Sequence, residues 1–156
     1  MQIQILELSI DINIIKYVYK RIFLFLKEIK LLNVKVVICF VGKKLIKKLN
    51  FLYRKKNLPT DIISFPYLNN ANMTRRMYIG DIIICSSIIK KRNNDKKLSE
   101  IYIFQKVIFH GLLHLLGFDH KRYYEYKIMR QIETKLYLKT IKRDKKLIRA
   151  KNERKI

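Results

Sequence analysis

This 156-residue chain has little of what builds disulfide frameworks or flexible linkers: two cysteines, two prolines, four glycines and no tryptophan. Cys39 and Cys85 lie singly in apolar, strand-like stretches, so the sequence predicts buried, reduced thiols and a cytoplasmic location. No apolar run approaches the ~18 residues that a membrane span needs. No basic segment precedes an apolar run near Met1, so we expect neither export nor a membrane anchor.

Acidic residues are scarce as well. Twelve Asp and Glu stand against 35 Lys and Arg, which gives a formal net charge of +23. A charge of this size favours a polyanionic partner, either nucleic acid or an anionic membrane surface. Codon bias is a competing source of the lysine excess, because Lys, Ile and Asn are the residues that AT-rich codons favour. Whatever its origin, the charge raises affinity for RNA, and salt should weaken that affinity steeply.

Hydrophobic periodicity divides the first half of the chain into short elements. Alternating or β-branched apolar residues indicate strands, whereas a spacing of three to four residues indicates helices. In chain order we expect a strand at 2–8, a helix after Asp11, a strand at Val34–Val41, a helix over Leu45–Tyr53, and strands at Asp61–Phe65 and Tyr78–Ile84 separated by a polar loop at Pro66–Met77.

The second half of the chain is predicted to be helical. Ser99 is a suitable N-cap for a helix that continues to Leu116 and is apolar on nearly all sides, so it should be central and buried. A further helix over Arg122–Leu138 should close the core through Tyr126, Met129, Ile132 and Leu136. The fold class is therefore α/β, with about four strands in a mixed sheet: one domain at 1–140, then a basic tail at 141–156 that forms a frayed helix or a disordered arm.

All three histidines of the chain fall within His110–His120. Residues four apart on a helix have Cβ atoms roughly 5–6 Å apart, so His110 and His114 can direct nitrogens at one metal ion. On an unbroken helix, His120 would lie about 9 Å further along the axis and roughly 240° around it. We therefore expect the chain to bend back after His114. Gly117 is the expected bend, because glycine readily adopts the left-handed conformation that ends helices.

Three protein nitrogens leave one position of a tetrahedral ion open, which is typical of catalytic rather than structural sites. A single histidine in an apolar helix is more often a hydrogen-bonded core residue, but three at this spacing favour ligation. We predict one metal ion held by His110, His114 and His120. Zinc suits three neutral imidazoles best, and nickel, copper or iron would also fit.

Hydrolysis is the reaction class that such an ion supports, with a peptide or a phosphodiester as substrate. The spacing His-x-x-x-His-x-x-Gly-x-x-His also occurs in metzincin-type metallopeptidases, which place a Glu directly after the first His as general base. Here that position is Gly111, so peptidase activity loses most of its support. A glycine inside a helix indicates that something approaches the helix closely. At Gly111 this is either the substrate or another backbone, or it is tight packing against a neighbouring strand.

Four blocks of the sequence resemble the YbeY endoribonucleases, which are bacterial ribosomal RNA maturation factors. The segment from His110 to His120 is similar to the family signature His-Gly-x-x-His-Leu-x-Gly-Tyr/Phe-Asp-His. The other three blocks are Leu49–Arg54 with Pro59–Pro66, which resembles Asn-x-x-Tyr-Arg and Pro-Thr-Asp/Asn-Val-Leu-Ser-Phe-Pro; Gly80-Asp81-Ile82; and Met129 with Glu133, which resembles a Met-x-x-x-Glu in the last helix.

The resemblance implies a single-strand-specific, metal-dependent endoribonuclease. Its implied roles are maturation of the 3′ end of 16S ribosomal RNA, ribosome biogenesis and ribosome quality control, with ribosomal RNA and the small ribosomal subunit as partners and no membrane. It implies that His110, His114 and His120 hold the ion. Arg54 matches a functionally important arginine of the family, and its guanidinium could clamp a phosphate. From the sequence alone, Arg54 would be a solvated cation at a helix end.

Other residues keep two interpretations. Asp119 could orient a histidine ligand or cap the turn after Gly117. Asp61 and Asp81 are predicted to be turn or cap residues, and Tyr53 and Phe65 either stack on bases or pack in the core. Two other functions also stay open: an RNA-binding ribosome assembly factor with a structural metal, and a metallopeptidase.

Overall fold

The computed structural model describes residues 2–5, 12–31, 33–67, 77–94, 100–120 and 122–153. Within them, helices surround a four-stranded mixed sheet, as the predicted α/β class requires. The elements are β1 (Gln2–Ile5), α1 (Ile12–Glu28), β2 (Val34–Phe40), α2 (Lys43–Arg54), β3 (Ile62–Pro66), β4 (Met77–Ile84), α3 (Ser86–Asn94), α4 (Glu100–Leu115) and α5 (Tyr123–Glu153).

The strand order in the sheet is β1-β2-β4-β3. Strand β2 pairs in parallel with both β1 and β4, whereas β3 pairs antiparallel with β4, from Ile62 opposite Ile84 to Pro66 opposite Gly80. Strand β3 therefore forms one edge of the sheet. Helix α4 packs across this edge strand, which brings the histidine-bearing helix and the polypeptide around β3 together.

The two faces of the sheet bury different amounts of apolar surface, because successive side chains of a strand point to opposite faces. Ile62 joins the larger core under α1, α4 and α5, whereas its neighbour Ile63 joins a smaller core under α2. The smaller core consists of Cys39, Val41, Ile46, Ile63 and Cys85. Both cysteines are buried and form no disulfide, as predicted.

Helix α4 is the centre of the larger core. Phe104, Ile108, Leu112 and Leu113 are at most 1% exposed, so the predicted buried helix is confirmed. The apolar stripe expected on α1 is confirmed as well, since Val18, Ile22, Phe25 and Leu26 are buried. The predicted N-cap Ser99 lies outside the described residues, as does most of the polar loop, residues 68–76.

Two expectations are wrong, and one helix was not predicted. Helix α3 was not predicted, because its residues show little helical periodicity. Tyr126 does not close the core, since it is 43% exposed at the surface of α5. The last helix does not end at Leu138 but continues to Glu153, because Lys and Arg are good helix formers and no Gly or Pro interrupts them. Of the two alternatives for the basic tail, the described residues up to Glu153 therefore follow the helical one. No helix among the described residues has the length and apolarity needed to cross a bilayer.

Candidate metal centre

The three histidines converge on one point, as the sequence predicts. Each offers a ring nitrogen, and these nitrogens lie within 4.8 Å of one another. The Nε2 atoms of His110 and His114 are 3.1 Å apart. Two nitrogens bound to a tetrahedral zinc ion lie about 3.3 Å apart, given Zn–N bonds of about 2.05 Å. The three histidines are therefore close enough to hold a metal ion. Three imidazole nitrogens are a donor set that fits the predicted zinc ion.

The turn after α4 brings His120 back to the other two rings. Gly117 has a φ of +85°, in the left-handed region. The backbone N–H of Phe118 donates to the carbonyl of Leu113 at 3.0 Å, and that of Gly117 donates to the carbonyl of His114 at 3.1 Å. These two bonds form a Schellman motif, which closes the helix and reverses the chain. The predicted glycine bend is confirmed.

Glu133 on α5 contacts the site from the opposite side. Its Oε1 lies 2.7 Å from Nδ1 of His110. An ionised carboxylate only accepts, so we assign the shared proton to Nδ1 of His110, which leaves the lone pair of Nε2 directed at the centre. Glu133 stands in the Met-x-x-x-Glu block, but its local sequence indicates no role. Only the fold reveals this contact, because 23 residues separate Glu133 from His110.

The environment of His114 favours the neutral form that ligates metals. Burial lowers the pKa of His114 below its ordinary value of 6.5, and the neighbouring His110 and His120 lower it further. Asp119 and a backbone hydrogen bond with Phe118 oppose this shift. A neutral imidazole keeps a free lone pair, so the site is suited to a cation.

Gly111 owes its place to packing against the sheet, which was one of its two interpretations. A Cβ at Gly111 would lie 2.6 Å from Cδ1 of Ile62 and 3.0 Å from Oγ of Ser64, both on β3. The missing side chain lets α4 approach the edge strand closely. A glutamate at this position would point into β3, so the metallopeptidase arrangement does not fit this helix.

The histidines line an open groove with a volume of about 1000 Å³. Arg54, Lys56 and Lys106 add positive charge to it, and Asp61, Asp119 and Glu133 add carboxyl groups. Arg54 is the last residue of α2, so the structure places the predicted arginine and the predicted ligands in one groove.

The end of α2 is held in position by a buried side chain. Asn50 is 4% exposed, and its Nδ2 donates to the carbonyl of Leu58 at 2.7 Å. Lys55 ends the helix with a left-handed φ of 58°. These contacts fix the connection from α2 to β3 and therefore the position of the Arg54 backbone. Asn50 belongs to the Asn-x-x-Tyr-Arg block, but its local sequence does not indicate the hydrogen bond to Leu58.

Aromatic packing fastens the same helix end to the edge strand. The rings of Tyr53 and Phe65 meet edge to face, with centroids 4.7 Å apart. Phe65 packs against the smaller core, whereas Tyr53 remains 61% exposed. Phe65 is therefore a packing residue, and the exposed ring of Tyr53 leaves both of its interpretations open.

Asp61 has its predicted role, and Asp119 has the turn contact that was one of its two interpretations. Asp61 Oδ1 accepts from the backbone N–H of Ile62 at 3.0 Å, and Asp119 Oδ1 accepts from that of His120 at 2.8 Å, so both shape turns. The prediction for Asp81 is wrong, because Asp81 lies inside β4. Its carboxylate accepts a hydrogen bond from Tyr78, and burial together with this contact raises the pKa of Tyr78 to about 12.

Known proteins resemble the chain over most of its length. The sequence profile of a family described as Endoribonuclease YbeY matches residues 2–141. An Endoribonuclease YbeY from Buchnera aphidicola subsp. Baizongia pistaciae is 40% identical over 104 residues, which cover 67% of this chain and 67% of the relative. One from Ehrlichia canis is 34% identical over 127 residues, covering 81% of this chain and 71% of the relative.

A solved structure supports the fold independently. The solution structure of a Thermotoga maritima protein superposes with a TM-score of 0.57 at 20% identity, covering 90% of this chain and 93% of the other. At that identity the likeness shows the fold alone. The matching profile, the two relatives and the four sequence blocks agree, and the chain belongs to the YbeY family.

Proposed function

We propose that this protein is a metal-dependent endoribonuclease that cleaves single-stranded ribosomal RNA. The observation that carries the proposal is the convergence of three imidazole nitrogens within 4.8 Å of one another, in a groove that Arg54 also lines. Relatives named Endoribonuclease YbeY support the RNA substrate. By the family resemblance, the target is the 3′ end of 16S ribosomal RNA on the small subunit, in ribosome biogenesis and quality control.

We assign His110, His114 and His120 as the ligands of one ion, with zinc as the best fit. The bound ion would supply Lewis acidity toward a phosphoryl oxygen and would lower the pKa of a water molecule. Glu133 keeps Nε2 of His110 directed at the centre, and Asp119 holds the turn that carries His120. These contacts preorganise the ligands, so little rearrangement is needed on binding.

Arg54 is the proposed catalytic residue. Its planar guanidinium can donate two parallel hydrogen bonds to a phosphate and stabilise the negative charge that develops there. Lys56 and Lys106 contribute positive charge along the same groove. A flexible single strand can bend a phosphate toward the histidines, whereas a duplex holds its phosphates at fixed positions. This difference supports the single-strand preference.

The test is cleavage of a single-stranded 16S RNA fragment by the purified protein. We expect cleavage that chelation abolishes and added zinc restores, and a loss of more than about 10³-fold for His114→Ala, the scale seen when a catalytic centre is dismantled. Gel mapping gives the cleavage site, and a 2′,3′-cyclic phosphate end would identify the RNA 2′-hydroxyl as the attacking group.

Two results would reject the proposal. Cleavage that is equally fast in His114→Ala would show that the histidine centre is not responsible. Tight RNA binding without cleavage, together with unfolding on chelation, would instead support an assembly factor with a structural metal. Lys44→Ala is a matched control, since Lys44 is exposed on α2 and does not line the groove.

A further inference from the structure

The first two turns of α5 expose tyrosines interleaved with basic residues. Tyr123, Tyr124 and Tyr126 are 73%, 54% and 43% exposed. Lys127 and Arg130 stand among them on the exposed side of the helix. Large exposed aromatic rings combined with cations are the surface chemistry of single-strand nucleic-acid binding, because every base can stack on a ring whatever its identity.

These turns lie in the chain between two residues that line the groove. His120, three residues before Tyr123, and Glu133, further along the helix, both line the groove. Tyr126, Arg130 and Glu133 follow helical spacings of four and three residues, so they share one face. Seven residues of helix from Tyr126 to Glu133 span about 10 Å. That span equals the length of about three stacked bases, at about 3.4 Å per base.

The tyrosines are held in place by the cations beside them. The ammonium of Lys127 lies 4.7 Å from the ring centroid of Tyr123, on one face of a ring that is otherwise largely exposed. Arg130 Nη1 donates to the hydroxyl of Tyr126 at 2.7 Å. A cation on one side of a ring leaves the other face for a base, and it also strengthens the attraction for phosphate.

The single acidic residue of this segment, Glu125, is turned back onto the helix start. Its Oε2 accepts from the backbone N–H of Arg122 at 3.0 Å, in the manner of a capping box. Its Oε1 also accepts a hydrogen bond from the hydroxyl of Tyr124 at 3.4 Å, so the carboxylate is engaged at the helix start. Around it, Arg122, Lys127 and Arg130 supply three positive charges against this one negative charge. The exposed surface therefore has net positive charge, which fits a polyanion better than it fits an acidic or apolar protein partner.

We propose that Tyr123, Tyr126, Lys127 and Arg130 form a stacking platform for the bases of single-stranded RNA that lie beside the scissile phosphate. The platform rests on the proposed nuclease function and deepens it, because it reads exposed bases. Paired bases are stacked within a duplex and cannot reach the tyrosines. The platform thus gives the single-strand preference a physical origin outside the metal centre.

The first experiment compares binding of a labelled 12-mer uridine RNA with binding of its duplex with 12-mer adenosine RNA, by fluorescence anisotropy, while gels verify intact RNA. Tyr123→Ala/Tyr126→Ala should weaken single-strand binding by at least about 25-fold, since stacking on each of the two rings contributes at least about fivefold. Duplex binding should change less than about threefold. Tyr19→Ala is the matched control, because Tyr19 is 49% exposed on α1.

Charge and ring contributions can be separated. Lys127→Gln/Arg130→Gln should reduce the slope of log affinity against log salt by about 1.4, because each phosphate contact on a single strand contributes about 0.7. Tyr126→Phe keeps the ring and should bind within about threefold of the parent. A purely structural tyrosine that anchors Arg130 would instead fail when its hydroxyl is removed.

A fluorescent reporter tests stacking directly, because the chain has no tryptophan. Tyr126→Trp should show strong quenching by single-stranded uridine RNA and little by the duplex, whereas Tyr19→Trp should be unaffected by either. This readout also covers the case in which the double alanine variant does not fold.

The platform is overturned if the double alanine variant binds single strands as tightly as the parent, if it loses duplex binding equally, or if the tryptophan at 126 is unaffected by RNA. Each result is independent of cleavage. If metal-dependent cleavage persists while the platform fails, the proposed function stands; if cleavage is absent while the reporter responds, the proposed function fails and the RNA-binding surface stands.

Discussion

The two walls of the groove are built from opposite kinds of structure. Helix α4, which carries His110 and His114, is wedged between the sheet and its helical neighbours, and its glycine presses against β3. Helix α2, which carries Arg54, buries only Ile46 and Asn50 and exposes the rest of its surface partly or fully.

This difference matches the role that is proposed for each wall. Metal ligands must keep their nitrogens within a few tenths of an ångström, so they belong on a buried helix whose side chains are locked by packing. An arginine binds through a long side chain that can adapt to its phosphate, so the end of an exposed helix is sufficient. Substitutions on the two walls should therefore change different quantities: metal affinity on the α4 side and turnover on the α2 side.

The sharpest test of this separation is Arg54→Ala. Turnover should fall by about 10²- to 10³-fold, the loss seen when one transition-state donor is removed, while zinc affinity stays within a factor of about two. Arg54→Lys should recover only part of the loss, because an ammonium cannot form the planar, two-point contact. Steady-state cleavage of an RNA oligonucleotide and zinc titration with a chelating indicator measure the two quantities.

A fall in zinc affinity in Arg54→Ala would show that the walls are coupled and would break the comparison. Unchanged turnover would remove Arg54 from the catalytic machinery and return it to the solvated helix-end cation that its sequence context alone predicts.

The complementary change is Glu133→Gln. The amide is nearly isosteric but lacks the charge that fixes the proton on Nδ1 of His110. Zinc affinity should weaken by about 10- to 100-fold, the typical loss when a group that orients a ligand is removed. Turnover at saturating zinc should fall less than in Arg54→Ala. Glu125→Gln is the control, since Glu125 lies on the same helix but caps its start.

The sequence was most informative where local pattern determines structure. The histidine spacing and Gly117 were sufficient to predict that the three histidine rings come together, because a helix with a left-handed end places those rings near one another. The strands at Val34–Val41, Asp61–Phe65 and Tyr78–Ile84 were predicted within about two residues at each end, because their β-branched runs are bounded by turn residues.

Features that depend on tertiary contact could not be predicted. Nothing near His110 in sequence shows that Glu133 would reach its Nδ1, and Asn50 reads as an ordinary polar residue until its bond to Leu58 is seen. The antiparallel pairing of β3 is likewise a property of the whole sheet. Helix α3 was not predicted because its sequence has little helical periodicity. Its stability depends on the burial of Ile89 against the rest of the fold, which the local sequence does not show.

Asn50→Ala tests whether the exposed wall depends on a single contact. Removing the amide leaves the carbonyl of Leu58 without this donor and should lower the free energy of unfolding by about 1–3 kcal/mol. Turnover should fall about three- to tenfold. The fall should be modest because the long side chain of Arg54 can partly compensate for a displacement of its backbone. Zinc affinity should not change. Denaturant titration and steady-state cleavage check the two effects, and a loss of zinc affinity would contradict the separation.

The smallest expected effect comes from Gly117→Ser, paired with Gly42→Ser. A Cβ at either glycine meets no atom within 4 Å, so crowding is equal and only the backbone differs. Gly117 has φ +85°, whereas Gly42 is an extended N-cap with φ −75°. Serine at 117 should cost about 1–2 kcal/mol of left-handed strain.

Serine at 42 should be neutral or stabilising, because serine is a good N-cap. Since Gly117 sets the return of His120, its variant should also bind zinc several-fold more weakly, and Gly117→Asn should recover part of both losses because Asn tolerates this conformation. Thermal unfolding without zinc measures the loss of stability, and the additional stabilisation on adding zinc measures the change in zinc affinity. Equal behaviour of the two serine variants would mean that the third ligand reaches the site without help from the turn, and the bend would then follow from metal binding rather than precede it.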